Sequence, residues 1–161
     1  MKIVSSLLLS SFIGISGILV TPNFSQAQTT HSQKQQTAVI SPKTASLFVN
    51  LTTDDSWRGA MAIGFAEKVL QQGHPTTIFL NVSAVNLASQ KLPQHTNGIT
   101  GKTLQQMLQE FIAQGGSVLI CPSCMKQGGI SDNDLIQGVK MGSPQATQSL
   151  LFEDNVRVMS W

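Results

Sequence analysis

The chain is poor in charge. Charged residues make up 11% of its 161 positions, ten basic against eight acidic, and no run or patch of one sign forms. Nucleic-acid partners demand a basic footprint, so none is expected here. Cysteine is equally scarce: Cys121 and Cys124 are the only two. No second Cys or His pair lies at ligand spacing, so one chain is not expected to build a tetrahedral zinc site. Neither a G-x-G-x-x-G nor a P-loop pattern follows any candidate strand, which leaves a nucleotide cofactor without support; no cofactor and no metal are expected. A twin-arginine signal is missing, and so is a cysteine that could carry a lipoprotein anchor.

One long hydrophobic run is present, and it stands at the start. Lys2 is followed by an almost wholly apolar or small stretch from Ile3 to Val20, broken by Thr21-Pro22. Ser25-Gln26-Ala27 then offers the small-x-small pattern of a signal-peptidase site. Residues 1–27 therefore read as a secretory signal peptide cut after Ala27, and the product is expected to be secreted or periplasmic. A retained membrane anchor is the competing reading. Gly14 and Gly17 weaken a spanning helix, and the cut site argues against retention. Removing residues 1–27 leaves 134, enough for one domain with a real core. Residues 28–44, rich in Gln, Thr and Ser, read as a flexible lead-in. The folded domain is expected over 45–161.

The rest of the chain is organised around Ser117 to Ile130. Gly115-Gly116 precedes an apolar run, Val118-Leu119-Ile120, that reads as a buried strand. The C-x-x-C pair follows at once, with Pro122 directly after the first cysteine, and proline is favoured in the first turn of a helix. Cys121 is thus expected at an N-cap, where backbone N–H groups and the helix dipole favour a thiolate, and a lowered thiol pKa is expected there. The same C-x-x-C pattern also suits a structural disulfide, half a metal site or a pair of small buried hydrophobes.

Around this stretch, strands and helices alternate. Strands are expected at Ser46–Leu51, Thr76–Asn81, Val118–Ile120, Gly138–Gly142 and Asn155–Ser160. A helix is expected from about Trp57 to Gln72, with Ala62, Phe65, Ala66, Val69 and Leu70 on its core face. A second opens at Thr103, where Thr103 and Gln106 form a capping-box pattern and Leu104, Met107, Leu108, Phe111 and Ile112 recur at helical spacing. Val82 to Ala88 reads as a helical turn, and Lys91 to Gly98 as a polar loop carrying His95. The fold class is α/β: a flavodoxin-like three-layer sandwich on a mostly parallel five-stranded sheet, with the expected order 2-1-3-4-5. That order would bring the Asp54-Asp55-Ser56-Trp57 turn and the Cys121 turn to one switch point.

On these residues the domain resembles the DsrE/DsrF-like sulfur-relay family, which includes the Tus-type sulfurtransferase subunits. The resemblance runs from about Ser46 to Trp161. It is carried by Asp55-Ser56-Trp57-Arg58, by Gly73-His74-Pro75 leading into Ile78-Phe79-Leu80-Asn81, by Gly101-Lys102-Thr103-Leu104, and by Cys121-Pro122-Ser123-Cys124 running on to Gly129-Ile130. Members resembling it place a sulfur-carrying cysteine at the end of a central strand, with a glycine and an aliphatic residue eight and nine positions on. Several carry a basic residue just before that glycine, where this chain has Gly128. The resemblance implies a persulfide on Cys121, sulfur donor and acceptor proteins or small thiols as partners, and a homotrimer or homohexamer. Cys121 and Cys124 are the candidate catalytic residues; Asp55, Lys126 and His95 are candidate binding residues. Three functions follow: a sulfurtransferase or sulfur carrier, a thiol–disulfide redox protein using the Cys121/Cys124 pair, or a non-enzymatic assembly module.

Overall fold

The computed structural model describes residues 44–161. The expected signal peptide, and all of the expected lead-in except Thr44, lie outside the described residues. Five strands are formed: β1 Ser46–Leu51, β2 Thr76–Leu80, β3 Ser117–Ile120, β4 Lys140–Met141 and β5 Val156–Ser160. They alternate with α1 Ser56–Gln71, α2 Leu104–Ala113, α3 Pro122–Gln127 and α4 Pro144–Leu151, and with 3-10 segments at Val82–Ala88 and Asp132–Asp134.

All strand pairings are parallel, so the α/β class and the five-stranded parallel sheet stand as expected. The strand order is 4-3-2-1-5, not 2-1-3-4-5. Each of the first three connections steps to the neighbouring position in one direction, and only the β4–β5 connection crosses back over the sheet. A right-handed crossover sets its helix on the face fixed by the direction of the step. Hence α1 and α2 share one face, where Ala62, Ile63, Leu108 and Phe111 pack with Leu47, Val49, Ile78 and Val118 in a single core. The returning α4 takes the other face, where its Leu150 lines a shallow pocket with Phe48 and Thr77. No residue of α4 is buried, so this third layer is thin. β2 lies between β1 and β3, which separates the Asp54 turn from the Cys121 turn by one strand.

Helix α2 follows the expected phase. Thr103 accepts from the Gln106 N–H, the Gln106 side chain accepts from the Thr103 N–H, and Leu104, Met107, Leu108 and Phe111 are buried. In α1 the phase differs from expectation. The buried arc is Gly59, Ala62, Ile63 and Ala66, while Trp57, Met61 and Phe65 point outward at four-residue spacing. Close approach is tightest at Gly59, where a Cβ would stand 2.7 Å from Leu104 Cδ1. Phe65, expected in the core, instead leans on Trp161 with ring centroids 5.8 Å apart.

The long connection between β2 and α2 is tied down at its middle. Ser89 pairs with Leu135, the Gln90 N–H donates to the Asp134 carbonyl at 2.7 Å, and the Ile136 N–H donates to the Ala88 carbonyl at 2.9 Å. Asp134 itself is buried, with one oxygen facing the Lys91 ammonium and the other accepting from the Ser131 N–H at 2.9 Å and hydroxyl at 2.7 Å. The Lys91 contact, then the Ser131 donors, hold its carboxyl down at about 2 against the penalty of burial. An unfolded Asp titrates near ~3.9, so the stability this group supplies is complete above that pH and is lost as pH falls through about 2. The urea midpoint is therefore expected to drop between pH 5 and pH 2, and Lys91→Met to shrink that drop. Identical acid profiles for the two proteins would dissociate the pair from acid stability.

Candidate functional site

The two cysteines stand where β3 gives way to α3. Cys121 leaves the strand with its N–H donating to the Leu80 carbonyl at 2.9 Å. Its φ and ψ are extended, Pro122 occupies the first turn of α3, and the Cys124 N–H donates to Cys121 Sγ at 3.2 Å. The expected N-cap is thus formed by the sulfur itself. Both cysteines are free and half-buried.

The thiol chemistry departs from expectation. Burial pushes the Cys121 thiol up, and the neighbouring Cys124 thiol pushes it further; the Cys124 and Ser123 backbone N–H groups pull the other way and do not win. A six-residue helix with a proline at its start has few donors to offer. The N-cap geometry is present without the lowered pKa that was expected from it.

The Gly129-Ile130 pair has a structural role beside any chemical one. The Gly129 N–H donates to the Lys126 carbonyl at 3.3 Å and the Ile130 N–H to the Met125 carbonyl at 2.9 Å. Gly129 has φ +67, so this is a Schellman stop, and Ile130 joins Met125 in the core beneath it. The spacing from Cys121 to Gly129 is therefore the length of the short helix that carries Cys124.

Cys124, and not Cys121, lines an open groove of about 500 Å³ with Val82, Val85, Asn86, Ser123 and Gln127. Its far wall is the 3-10 segment Val82–Ala88. Three residues per turn sort that segment into faces. Ala84, Val85 and Leu87 are buried, Val82 stands exposed beside the groove, and Ser83 and Asn86 reach Asp54. Ser83 Oγ donates to Asp54 Oδ1 at 2.9 Å and Asn86 Nδ2 to Asp54 Oδ2 at 2.8 Å. The Asn86 bond, with help from Ser83 and the residue's own backbone N–H, holds the Asp54 carboxyl below the usual carboxylate range despite partial burial. Val82 opens the segment at φ +53, a left-handed conformation that a β-branched side chain resists.

Of the other candidates, Asp55 caps α1 by accepting the Arg58 N–H at 2.8 Å, and is exposed. His95 is exposed in a separate cavity of about 600 Å³, beside Asp54, Asp55 and Gln94. Cys124 is not among the residues lining that cavity; Asn86 lines both spaces. Lys126 is exposed in the last turn of α3, at the end of the helix away from the Cys121 sulfur. The structure thus brings the two cysteines together and sets Asp55 and His95 apart from them. Asp54, Ser83 and Asn86 were missed by sequence reasoning, although the three-residue spacing of Ser83 and Asn86 in an otherwise apolar segment was a signal for them. Among the described residues no group of three or more His, Cys, Asp or Glu is placed to hold a metal ion, and no helix is long and apolar enough to cross a membrane.

Comparison with known proteins bears on this geometry. The sequence model of the DsrE/DsrF-like family matches residues 45–160. The crystal structure of the ychN protein from E. coli superposes with a TM-score of 0.58 at 26% identity, covering 73% of this chain and 100% of that one. A protein of unknown function from Methanobacterium thermoautotrophicum, MTH1491, gives a TM-score of 0.59 at 13% identity, covering 73% and 99%, and speaks for the fold alone. The uncharacterized protein MK0008 of Methanopyrus kandleri is 31% identical over 86 residues, 53% of this chain and 68% of that protein.

Proposed function

The chain belongs to the DsrE/DsrF-like family, and from that premise we propose that it accepts sulfane sulfur as a cysteine persulfide on Cys121 and hands it to a partner thiol. The family ties it to sulfur relay with partner proteins. The observation that supports the finer reading is the free thiol pair at the end of β3, with Cys121 accepting the Cys124 N–H at 3.2 Å. In the loading step the Cys121 thiolate attacks a sulfane sulfur, one S–S bond replaces another, and the leaving thiolate or sulfide takes the electron pair. Cys124 then stands ready to attack the inner sulfur of the persulfide, releasing sulfide and closing a disulfide.

The protein acts outside the cytoplasm in this reading, with residues 1–27 as a cleaved export signal, supported by the apolar run and the small residues at the cut. It acts as a homotrimer or homohexamer, supported by the family resemblance and by the outward row of Trp57, Met61 and Phe65.

Reduced protein treated with excess polysulfide is expected to gain the mass of one sulfur, and Cys121→Ser to gain none. A loss of two protons with no sulfur retained would favour thiol–disulfide exchange by the same pair. No mass change in either protein would favour the assembly module.

A further inference from the structure

We propose that Asp54 latches the Val82–Ala88 segment beside Cys124, holding it against backbone strain at Val82 and so limiting access to that thiol. The inference rests on the sulfur-transfer reading for the role of Cys124, and adds a positioning residue that governs it.

Two anchors flank Val82. Before it, the Asn81 N–H donates to the Leu51 carbonyl at 3.0 Å, and Asn81 Nδ2 donates to Asn50 Oδ1 at 2.6 Å. The exit from β2 is thus tied to β1. After it, Ser83 Oγ donates to Asp54 Oδ1 at 2.9 Å and accepts the Asp54 N–H at 3.2 Å, while Asn86 Nδ2 donates to Asp54 Oδ2 at 2.8 Å. Ser83 and Asn86 stand one 3-10 turn apart, so a single carboxylate grips one edge of the segment with both of its oxygens.

Val82 lies between these anchors at φ +53 and is 62% exposed. Its side chain therefore has little packing to offset a left-handed backbone. Such conformations persist only where the surroundings over-determine them. The Asp54 bonds supply that constraint. The Asn86 bond first, then the Ser83 bond, keep the carboxyl below its ordinary range against partial burial, so it stays ionised with both acceptors available. Hydrogen bonds to an ionised acceptor are stronger than those between neutral groups.

The gripped segment forms one side of the groove, through Val82, Ser83 and Asn86, and α3 forms the other, through Ser123, Cys124 and Gln127. Cys124 is half-buried and packs on the core. Moving the segment away from α3 uncovers it. Cys121 is held apart from that motion: its N–H is bonded to the Leu80 carbonyl at 2.9 Å, and it does not line the groove. A released segment therefore changes Cys124, whereas a general loosening of the fold changes both thiols.

Initial iodoacetamide rates on the reduced full chain at one pH, resolved by peptide mass mapping, read the latch. Asp54→Ala is expected to quicken Cys124 about fivefold and Cys121 by less than about twofold. Ser83→Ala, which removes part of the grip, is expected to quicken Cys124 about twofold. Asp54→Asn, whose amide can still accept from Asn86 and donate to Ser83 Oγ, is expected to stay within about twofold of the unaltered chain. Val82→Gly, added to Asp54→Ala, removes the strain and is expected to take back most of the gain. A Cys124 rate unmoved by Asp54→Ala and Ser83→Ala, an equal quickening of both thiols, or a double variant as fast as Asp54→Ala would overturn the proposal. The expected labelling pattern without sulfur uptake from polysulfide would sink the transfer reading alone; uptake with an unmoved Cys124 rate would sink this inference alone.

Discussion

Phe111→Ala is expected to lower the unfolding free energy by about 3–5 kcal/mol, the usual cost of deleting a buried aromatic. Phe111 is fully buried at the centre of the α1–α2 face, and its ring rests on the turn that leads into β3. The contact there is tight: a Cβ added to Gly116 would stand 2.4 Å from Phe111 Cε1 and Cζ. Gly116→Ala should therefore cost about 1–3 kcal/mol by overpacking. The two changes meet at one point, so they should not add. With Phe111 already alanine, the methyl at position 116 enters vacated space, and most of its cost should vanish. Gln109, on the exposed side of α2, serves as the control, and Gln109→Ala should change stability by less than about 0.5 kcal/mol. Urea melts of the four proteins of the cycle and the control decide the matter. Additive effects would mean that Phe111 and Gly116 do not touch.

The second large effect lies in the pH dependence of the thiols. Modification of Cys121 is expected to quicken about tenfold per pH unit through neutral pH, and to keep rising past the ~8.5 midpoint of a free cysteine. Burial holds the Cys121 thiol up, so it is protonated where an ordinary cysteine has begun to ionise. Because the Cys124 thiol also raises it, Cys124→Ser should move the midpoint down. Iodoacetamide rates against pH, followed peptide by peptide, measure both. A Cys121 midpoint below that of free cysteine would mean that the helix start governs after all.

That reversal marks where the sequence was legible and where it was not. The strand–cysteine–proline order located the N-cap, because local backbone preferences decide such turns. It could not weigh burial against two N–H groups, since burial depends on how distant segments such as Val82–Ala88 pack beside α3. Likewise Thr103 and Gln106 announced the start of α2, a contact within one turn. The face of α1 was misread at Phe65 because the helix is apolar on two sides, and only the near-contact at Gly59 says which side meets α2. Strand order was the hardest feature. Orders 2-1-3-4-5 and 4-3-2-1-5 share one series of elements, and both set β5 at an edge. The discriminating sign was β4: two exposed residues, one of them Lys140, suit a sheet edge far better than an interior place.

The returning β4–β5 connection also governs how this molecule can be made. β1 is among the first pieces of the domain to leave the ribosome, yet its second neighbour is β5, about 110 residues later, with Ser46 opposite Val156 and Asn50 opposite Ser160. Further bonds join the same two segments: the Trp161 N–H donates to the Asn50 carbonyl at 3.0 Å, and the Thr52 N–H and hydroxyl donate to the Trp161 carbonyl at 3.0 and 2.7 Å. Throughout synthesis one side of β1 therefore waits with its amides and carbonyls unpaired, while β2, β3 and β4 assemble on its other side. A nascent chain in that condition offers a bare strand edge to its neighbours. Covering that side of β1 falls to Val156–Ser160, which takes over the place at the sheet edge.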